Sequence, residues 1–290
     1  MIVVLTALGV EQDAVLNHLT DVEEYEHDKG TLFEVGTIIG YPEHRVAVGI
    51  TGAGTTTAAA LTERARAEFE PAAMMFVGIA GGLRESLTIG DVIVATKVHS
   101  YQGGRSENDE FLVRPRSWEL SHRLDQAARR LHRKKAWHHL LPEPDGPTRP
   151  KVHFDPIAVG DVVLNATRSE LARRIRSCYN DAVAVEMEGS GFAHAAALSD
   201  NVPAVVIRGI SDHADGMKAS ADRAGGQVAA ARSAAAFAIA LATTLEPEPR
   251  STTTDPTPTP ALPPINSQVI ARGHARVGEQ VGVQFTWGQR

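Results

Sequence analysis

The sequence predicts a three-layer α/β/α domain around a central mixed or mostly parallel sheet. Three observations carry this. Short apolar or β-branched runs alternate with helix-forming stretches across residues 1–245, the pattern of strands covered by helices on both faces. Glycine-containing turns follow two of those runs, at 51–55 and 80–83. Carboxylates stand where other runs end, and in open α/β sheets the C-terminal strand edge is where ligands bind.

Residues 2–7 (IVVLTA) form the first buried strand, and a helix is expected over 11–19. Residues 33–39 and 45–50 read as a strand pair around a turn at Tyr41-Pro42. The turn TGAGT at 51–55 then opens an Ala-rich helix to about Glu70. Glycine there allows close backbone approach to a ligand, although a tight turn alone would also require it. Residues 73–79 give a strand that runs into Ala80-Gly81-Gly82-Leu83, and 92–98 another. A polar loop is expected over 100–118 and a helix over 117–135, whose arginines suit a solvated face. The Pro-rich segment 141–150 is a connector. A strand over 157–164 and an amphipathic helix over 168–177 follow, and 227–245 is an Ala-rich helix packed on the sheet.

The chemistry gathers in 183–215. A strand at 183–185 ends on Glu186-Met187-Glu188, a small-residue helix covers 189–198, and a second strand at 204–207 ends on Arg208-Gly209-Ile210-Ser211-Asp212. Alone, Glu188 or Asp212 would read as a first-turn or capping acid. Two such strand ends in one βαβ-type unit point to a site. If Glu11 joins Glu188 and Asp212 in one cleft, two chemistries fit: a hard-metal site of oxygen ligands, or a metal-free glycosidic hydrolysis with one carboxyl as acid and another as base.

Composition excludes several classes. With 43% hydrophobic and 22% charged residues the chain is an ordinary globular protein, and its net charge of -6 argues against a general nucleic-acid binder. The single cysteine, Cys178, allows no internal disulfide and no cysteine-based zinc site. The N-terminus lacks a basic region before its apolar run, so it reads as a strand and not a signal peptide. No run has the length of a membrane span. A cytoplasmic location is expected.

The composition changes at Glu246. Residues 246–264 are a Pro/Thr-rich extended linker. Residues 265–290 are too short for a core of their own and form either a disordered terminus or a β segment completed by other chains.

The strings VGIAGGL with IGDVIVAT, AVGDVVLN, AVEMEGSGFAHAA and VVIRGISDHAD, in this order, resemble the nucleoside phosphorylase superfamily. They are most similar to its methylthioadenosine/S-adenosylhomocysteine nucleosidase branch. The resemblance covers 1–245 and implies a phosphorylase-like fold, no metal or organic cofactor, and a homo-oligomer. It implies that Asp212 protonates purine N7, with Arg208 and Ser211 holding its loop and Arg208 as charge partner. Glu188 would bind the ribose hydroxyls, Met187 would pack on the sugar, and Glu186 would share that substrate-binding edge. Val163 and Leu164 would wall the base with Asp161 behind them, and Gly81 and Gly82 would keep the floor open. Glu11, in ALGVEQDAV, falls where nucleosidases of the family place a water-activating glutamate. The implied reaction is hydrolysis of an adenine nucleoside or nucleotide, and the alternative is phosphorolysis.

Two features depart from that branch. Ile79 replaces a small polar residue, and 97–116 is longer and more basic than an alkylthio pocket requires. That loop is similar to phosphorylase-like domains of bacterial and fungal immune effectors, so Lys97, Arg105, Arg114 and Arg116 are expected 5′-side contacts. The tail resembles amyloid-type signalling motifs, with Gln280-Val281-Gly282 similar to the core of the RIP homotypic interaction motif. A signalling receptor is therefore an expected partner, and a nucleoside-sensing module is the reading of another class.

Overall fold

Strand β1 (Ile2–Thr6) lies between β4 (Tyr41–Ile50) and β5 (Ala73–Gly82), parallel to both. Its side chains divide by the two-residue period of an extended chain. Ile2 and Val4 enter one core, and Val3 and Leu5 enter the other. β5 divides in the same way, with Met75 and Val77 on one side and Met74 and Phe76 on the other. Burial on both faces is what makes these runs continuously apolar.

This computed structural model describes residues 1–119, 121–141, 149–199 and 202–245. Among them, the remaining strands are β2 (Leu19–Glu26), β3 (Leu32–Ile38), β6 (Val92–Ser100), β7 (Gly104–Ser106), β8 (Phe111–Val113), β9 (Arg116–Glu119), β10 (Val152–Val159), β11 (Ala184–Glu186) and β12 (Ala204–Asp212). The main sheet runs β11-β10-β6-β12-β5-β1-β4-β3-β2, with β9 added antiparallel to β6. β12 is parallel to β5 and antiparallel to β6, so the sheet is mixed as expected. β11 also pairs antiparallel with β5 through Ala184–Gly82 and Val185–Gly81. That closure curls one end of the sheet onto its middle and brings the 186–188 segment beside Gly81 and Asp212.

Helices cover both faces. α1 (Gly9–Leu16), α3 (His122–Lys134) and α7 (Gly226–Ala242) pack on one core, and α2 (Thr55–Phe69) and α5 (Gly189–Leu198) on the other. α4 (Glu170–Cys178) packs against Tyr101 and Ala158 near the end of β10. Alanine lets α7 approach very closely: a Cβ on Gly209 of β12 would overlap the Ala230 carbonyl. Phe237 of α7 is fully buried, worth about 2–3 kcal/mol by area.

Several expectations change. The expected helix over 11–19 starts at Gly9 and stops at Leu16, because β2 begins at Leu19. The turn expected at Tyr41-Pro42 lies just before them, where Gly40 adopts φ +81 and Tyr41 already pairs with Ile38. The expected loop 100–118 contains the β7–β8 hairpin and β9, and pairing of β9 with β6 delays the next helix to His122. The strand expected over 157–164 runs from Val152 to Val159, leaving Val163 and Leu164 in the following loop. A short helix, α6 (Lys218–Arg223), was not anticipated.

The chain divides into units at Met1–Glu248 and Pro249–Arg290. The linker 246–264 and tail 265–290 lie outside the described residues, as does most of the connector 141–150. Among the described residues, no helix is long and apolar enough to cross a membrane.

Candidate active site

Glu11 sits in the first turn of α1 and is buried. Its Oε2 accepts the N–H groups of Ala7 at 2.8 Å and Leu8 at 2.9 Å, the glutamate half of a capping box. Its Oε1 accepts the N–H of Ile79 at 2.8 Å, tying the end of β1 to the end of β5. Ile79, the departure from the family pattern, therefore serves through its backbone. Burial pushes the Glu11 carboxyl above its ordinary value, opposed by the nearby Arg208 charge and the three backbone donors.

Arg208 is wholly buried on β12. Its Nη2 lies 2.5 Å from Glu186 and 3.7 Å from Glu188, and its guanidinium sits 4.5 Å from the centre of the Phe76 ring. Burial works against its charge, but Glu186, Glu188 and Glu11 more than offset that and hold it cationic. Gly78 is required here: a Cβ would overlap Arg208 and stand 2.5 Å from Glu11 Oε1. A guanidinium thus stands among the carboxylates, and no three His, Cys, Asp or Glu among the described residues are grouped to hold a metal.

The segment after β11 divides its labour. Glu186 turns back to accept from Glu188 N at 3.1 Å and Gly189 N at 2.9 Å, closing the start of α5. With Arg208 on the same carboxylate, both Glu186 oxygens are engaged within the chain. Among the described residues, Glu188 accepts only the Gly54 N–H, at 3.1 Å, besides its longer contact to Arg208. Burial, then the Glu186 charge, pushes its carboxyl up to about 7 against the pull of Arg208. At the start of α2, Thr55 is engaged as well. Thr55 N and Oγ1 lie 2.7 and 2.9 Å from the Asp161 carboxylate, which anchors the 160–164 loop to α2.

Asp212 ends β12 and is buried. Its Oδ1 accepts Ala214 N at 2.8 Å, and its Oδ2 accepts Ser211 Oγ at 2.8 Å and Lys218 Nζ at 3.2 Å. Ser211 Oγ also lies 3.3 Å from the Ala80 carbonyl. Arg208 does not hold the Asp212 loop: four residues of strand, about 13 Å, separate the two positions, and Arg208 serves Glu186 and Glu188. The cation at Asp212 is Lys218. Gly81 is the register partner of both Asp212 and Val185, and a Cβ there would lie 3.1 Å from Asp212 Oδ1.

These groups line one cleft of about 340 Å³, with Glu11, Glu186, Glu188 and Asp212 along it. Gly81, Met187, Ser211, Leu164 and the half-exposed Val163 also face it. Lys218 and Gln227, which the sequence reading missed, face it as well. Their signal was position alone: Lys218 is six residues beyond Asp212, and Gln227 opens α7. Lys97, Arg105, Arg114 and Arg116 do not line the cleft in this chain. Lys97 reaches Glu119 across β6 and β9 at 3.8 Å, Arg105 pairs with Glu107 at 2.5 Å, and Arg114, between β8 and β9, and Arg116, on β9, are exposed.

A family model described as the phosphorylase superfamily matches residues 1–245. An Escherichia coli (strain KTE188) protein named ATP nucleosidase Cap17 is 28% identical over 218 residues, covering 66% of this chain and 40% of the relative. The chain therefore matches well under half the length of that relative. A 5′-methylthioadenosine/S-adenosylhomocysteine nucleosidase of Maridesulfovibrio salexigens is 27% identical over 218 residues, covering 74% of this chain and 88% of the relative. Among solved structures, the same-named nucleosidase from Neisseria meningitidis in complex with methylthio-immucillin-A superposes with a TM-score of 0.69 at 23% identity. That match covers 84% of this chain and 99% of the other, a likeness of fold.

Proposed function

The chain belongs to the phosphorylase superfamily, and on that premise we propose that it hydrolyses the N-glycosidic bond of an adenine nucleoside or adenine nucleotide and releases adenine. The observation that carries this is one cleft holding Glu11, Glu188 and Asp212, with two N–H groups at the start of α2 already held by carboxylates. Helix N-termini attract anions through free N–H groups. Here Gly54 N donates to Glu188 and Thr55 N to Asp161, so a phosphate at these two N–H groups would meet negative charge. Water has no such penalty.

In the reaction, Asp212 delivers a proton to purine N7 as the C1′–N9 bond lengthens and its electron pair enters the ring. Glu188 accepts hydrogen bonds from the ribose hydroxyls, which strengthen as positive charge grows on the sugar. Glu11 takes a proton from the attacking water, whose oxygen bonds to C1′. Arg208 opposes the rise that burial imposes on Glu188 and Glu11 and so favours their ionised forms. Ser211 fixes the Asp212 carboxyl, and the Val163–Leu164 wall and Met187 enclose base and sugar.

The test is a panel of methylthioadenosine, adenosylhomocysteine, adenosine, AMP and ATP, each incubated with the full chain with and without phosphate. Free adenine and ribose or its 5′-derivative, independent of phosphate, is the expected result. Adenine formed only with phosphate, together with a ribose 1-phosphate, means phosphorolysis instead. No adenine from any substrate ends the proposal.

A further inference from the structure

Away from the cleft, the two ends of the main sheet carry opposite charge. β2 is the last strand at one end and pairs only with β3 among the described residues. α3 lies over β10 near the other end, where the Arg129 guanidinium stands 4.5 Å from the centre of the Phe154 ring. The buried side chains of α3 are apolar: Leu124, Ala128 and Leu131. Arg123, Arg130, Arg133, Lys134 and Lys135 are exposed. Among the described residues none of these five is in an ion pair, the one cation of α3 that is being Arg129, held by Asp125. Arg123, Arg130 and Lys134 stand at i, i+7 and i+11 and so form one stripe along the helix. On β2, Asp21, Glu23, Glu24 and Glu26 are exposed and likewise outside any ion pair among the described residues. Like charges press on each other at both ends. Glu34 on β3 is pushed up by burial and then by the charges of Glu24 and Asp13. His138 is pushed down by burial and then by Arg149, Lys135 and His132.

We propose that copies of this chain associate head to tail, the α3 stripe of one docking along the β2 edge of the next. The lengths match, since Arg123 to Lys134 on a helix and Asp21 to Glu26 on a strand each span about 16 Å. A second copy fits better than another polyanion. The net charge of -6 repels nucleic acid and anionic lipid at long range. α3 has no Phe, Tyr or Trp to stack on bases, and its leucines are buried and cannot enter a lipid surface. Every copy, by contrast, brings the complementary edge at the same concentration as the stripe. The acidic edge also repels a second β2, so pairing of like edges does not compete. Because the two patches differ, the contact is heterologous, and it repeats as a closed ring or an open chain. Neither patch lines the catalytic cleft, so assembly is independent of the hydrolase reading and is measured apart from turnover.

The experiment is sedimentation velocity of the full chain over a range of concentrations, at about 0.1 M and about 1 M salt, between which the screening length falls from about 10 Å to about 3 Å. The mean mass should rise with concentration at low salt and become independent of it at high salt. Two charge reversals locate the contact. One variant carries Arg130→Glu with Lys134→Glu, the other Glu24→Lys with Glu26→Lys. Each alone should associate about tenfold or more weakly than wild type, because like charges then face each other. Mixed in equal amounts they should regain association, since the reversed stripe of the first meets the reversed edge of the second and the two intact patches still match. That recovery also shows both variants to be folded. A mass independent of concentration at low salt overturns the proposal. So does growth that survives both reversals, as assembly through residues 265–290 alone would, or a loss that mixing does not restore. Duplex DNA held by the stripe of a chain that does not self-associate assigns α3 to another polyanion and overturns it as well.

Discussion

Replacing Arg208 by Met tests the electrostatic reasoning most directly. The side chain is 0% exposed, lies 2.5 Å from Glu186 and 3.7 Å from Glu188, and also acts on Glu11. Met replaces the buried side chain with an unbranched apolar one and removes the counter-charge. In the wild type, Glu188 moves from 4.5 to about 7, which corresponds to about 3 kcal/mol. The sign follows from a folded value above the unfolded one: this stability is fully present below about 4.5 and is lost as pH rises through about 7. Without Arg208, both Glu188 and Glu11 lose the charge that opposes their rise, so the loss deepens and continues to higher pH. At pH 8 the variant should be about 3–5 kcal/mol less stable than wild type, the usual result of stripping one partner from a buried ion pair. At pH 5, where the glutamates can take up protons, only hydrogen bonds are lost and the deficit should shrink to about 1–3 kcal/mol. Urea unfolding of both proteins at the two pH values measures this. A deficit that is equal at both, or larger at pH 5, refutes the reasoning.

Asp212→Asn should lower kcat by about 10²–10⁴ while adenine still binds, because Asn can accept from Ser211 but has no proton to give; calorimetry beside turnover separates the two. Glu11→Gln should cause a loss of similar size, since the amide is no base and its NH₂ faces N–H donors of Ala7, Leu8 or Ile79; turnover close to wild type would remove Glu11 from the mechanism. If ionised Glu188 binds the ribose, kcat/KM should rise with pH through about 7 as the free enzyme loses that proton; a flat profile between pH 5 and 8 would contradict the role. Gly191→Ala should destabilise by about 1–3 kcal/mol, because its Cβ would overlap the Thr55 carbonyl where α5 crosses the start of α2; a thermal melt unchanged from wild type would show that the two helices can part freely.

The legible elements are those buried on both faces. β1, β5 and β12 read as strands because every position along most of their length meets a core, so local composition and tertiary environment agree. β2 was missed because only Leu19 of its eight residues is buried. Its remaining positions are exposed and largely charged, and it is held by pairing with β3. The β7–β8 hairpin and β9 escaped for the same reason, with most of their residues half-buried or exposed. In the site, Glu11, Glu188 and Asp212 were legible as strand-end carboxylates within family strings. Lys218 was not, because an ammonium six residues past an acid has no periodic or motif signature.

The sequence by itself determined the layered architecture, the order of strands and helices through most of 1–245, and the identity of the three carboxylates that share the cleft. Those follow from local patterns of burial and from short strings. The tertiary structure decided which charge answers which. Arg208 lies nearer in sequence to Asp212 than to Glu186, yet strand length keeps it from the first, and the β11–β5 pairing brings it the second. That same closure sets Gly81 between Val185 and Asp212, and the cation at Asp212 is Lys218. Partners such as these are chosen by how the sheet curls, a property of many distant contacts at once that no stretch of the chain carries alone.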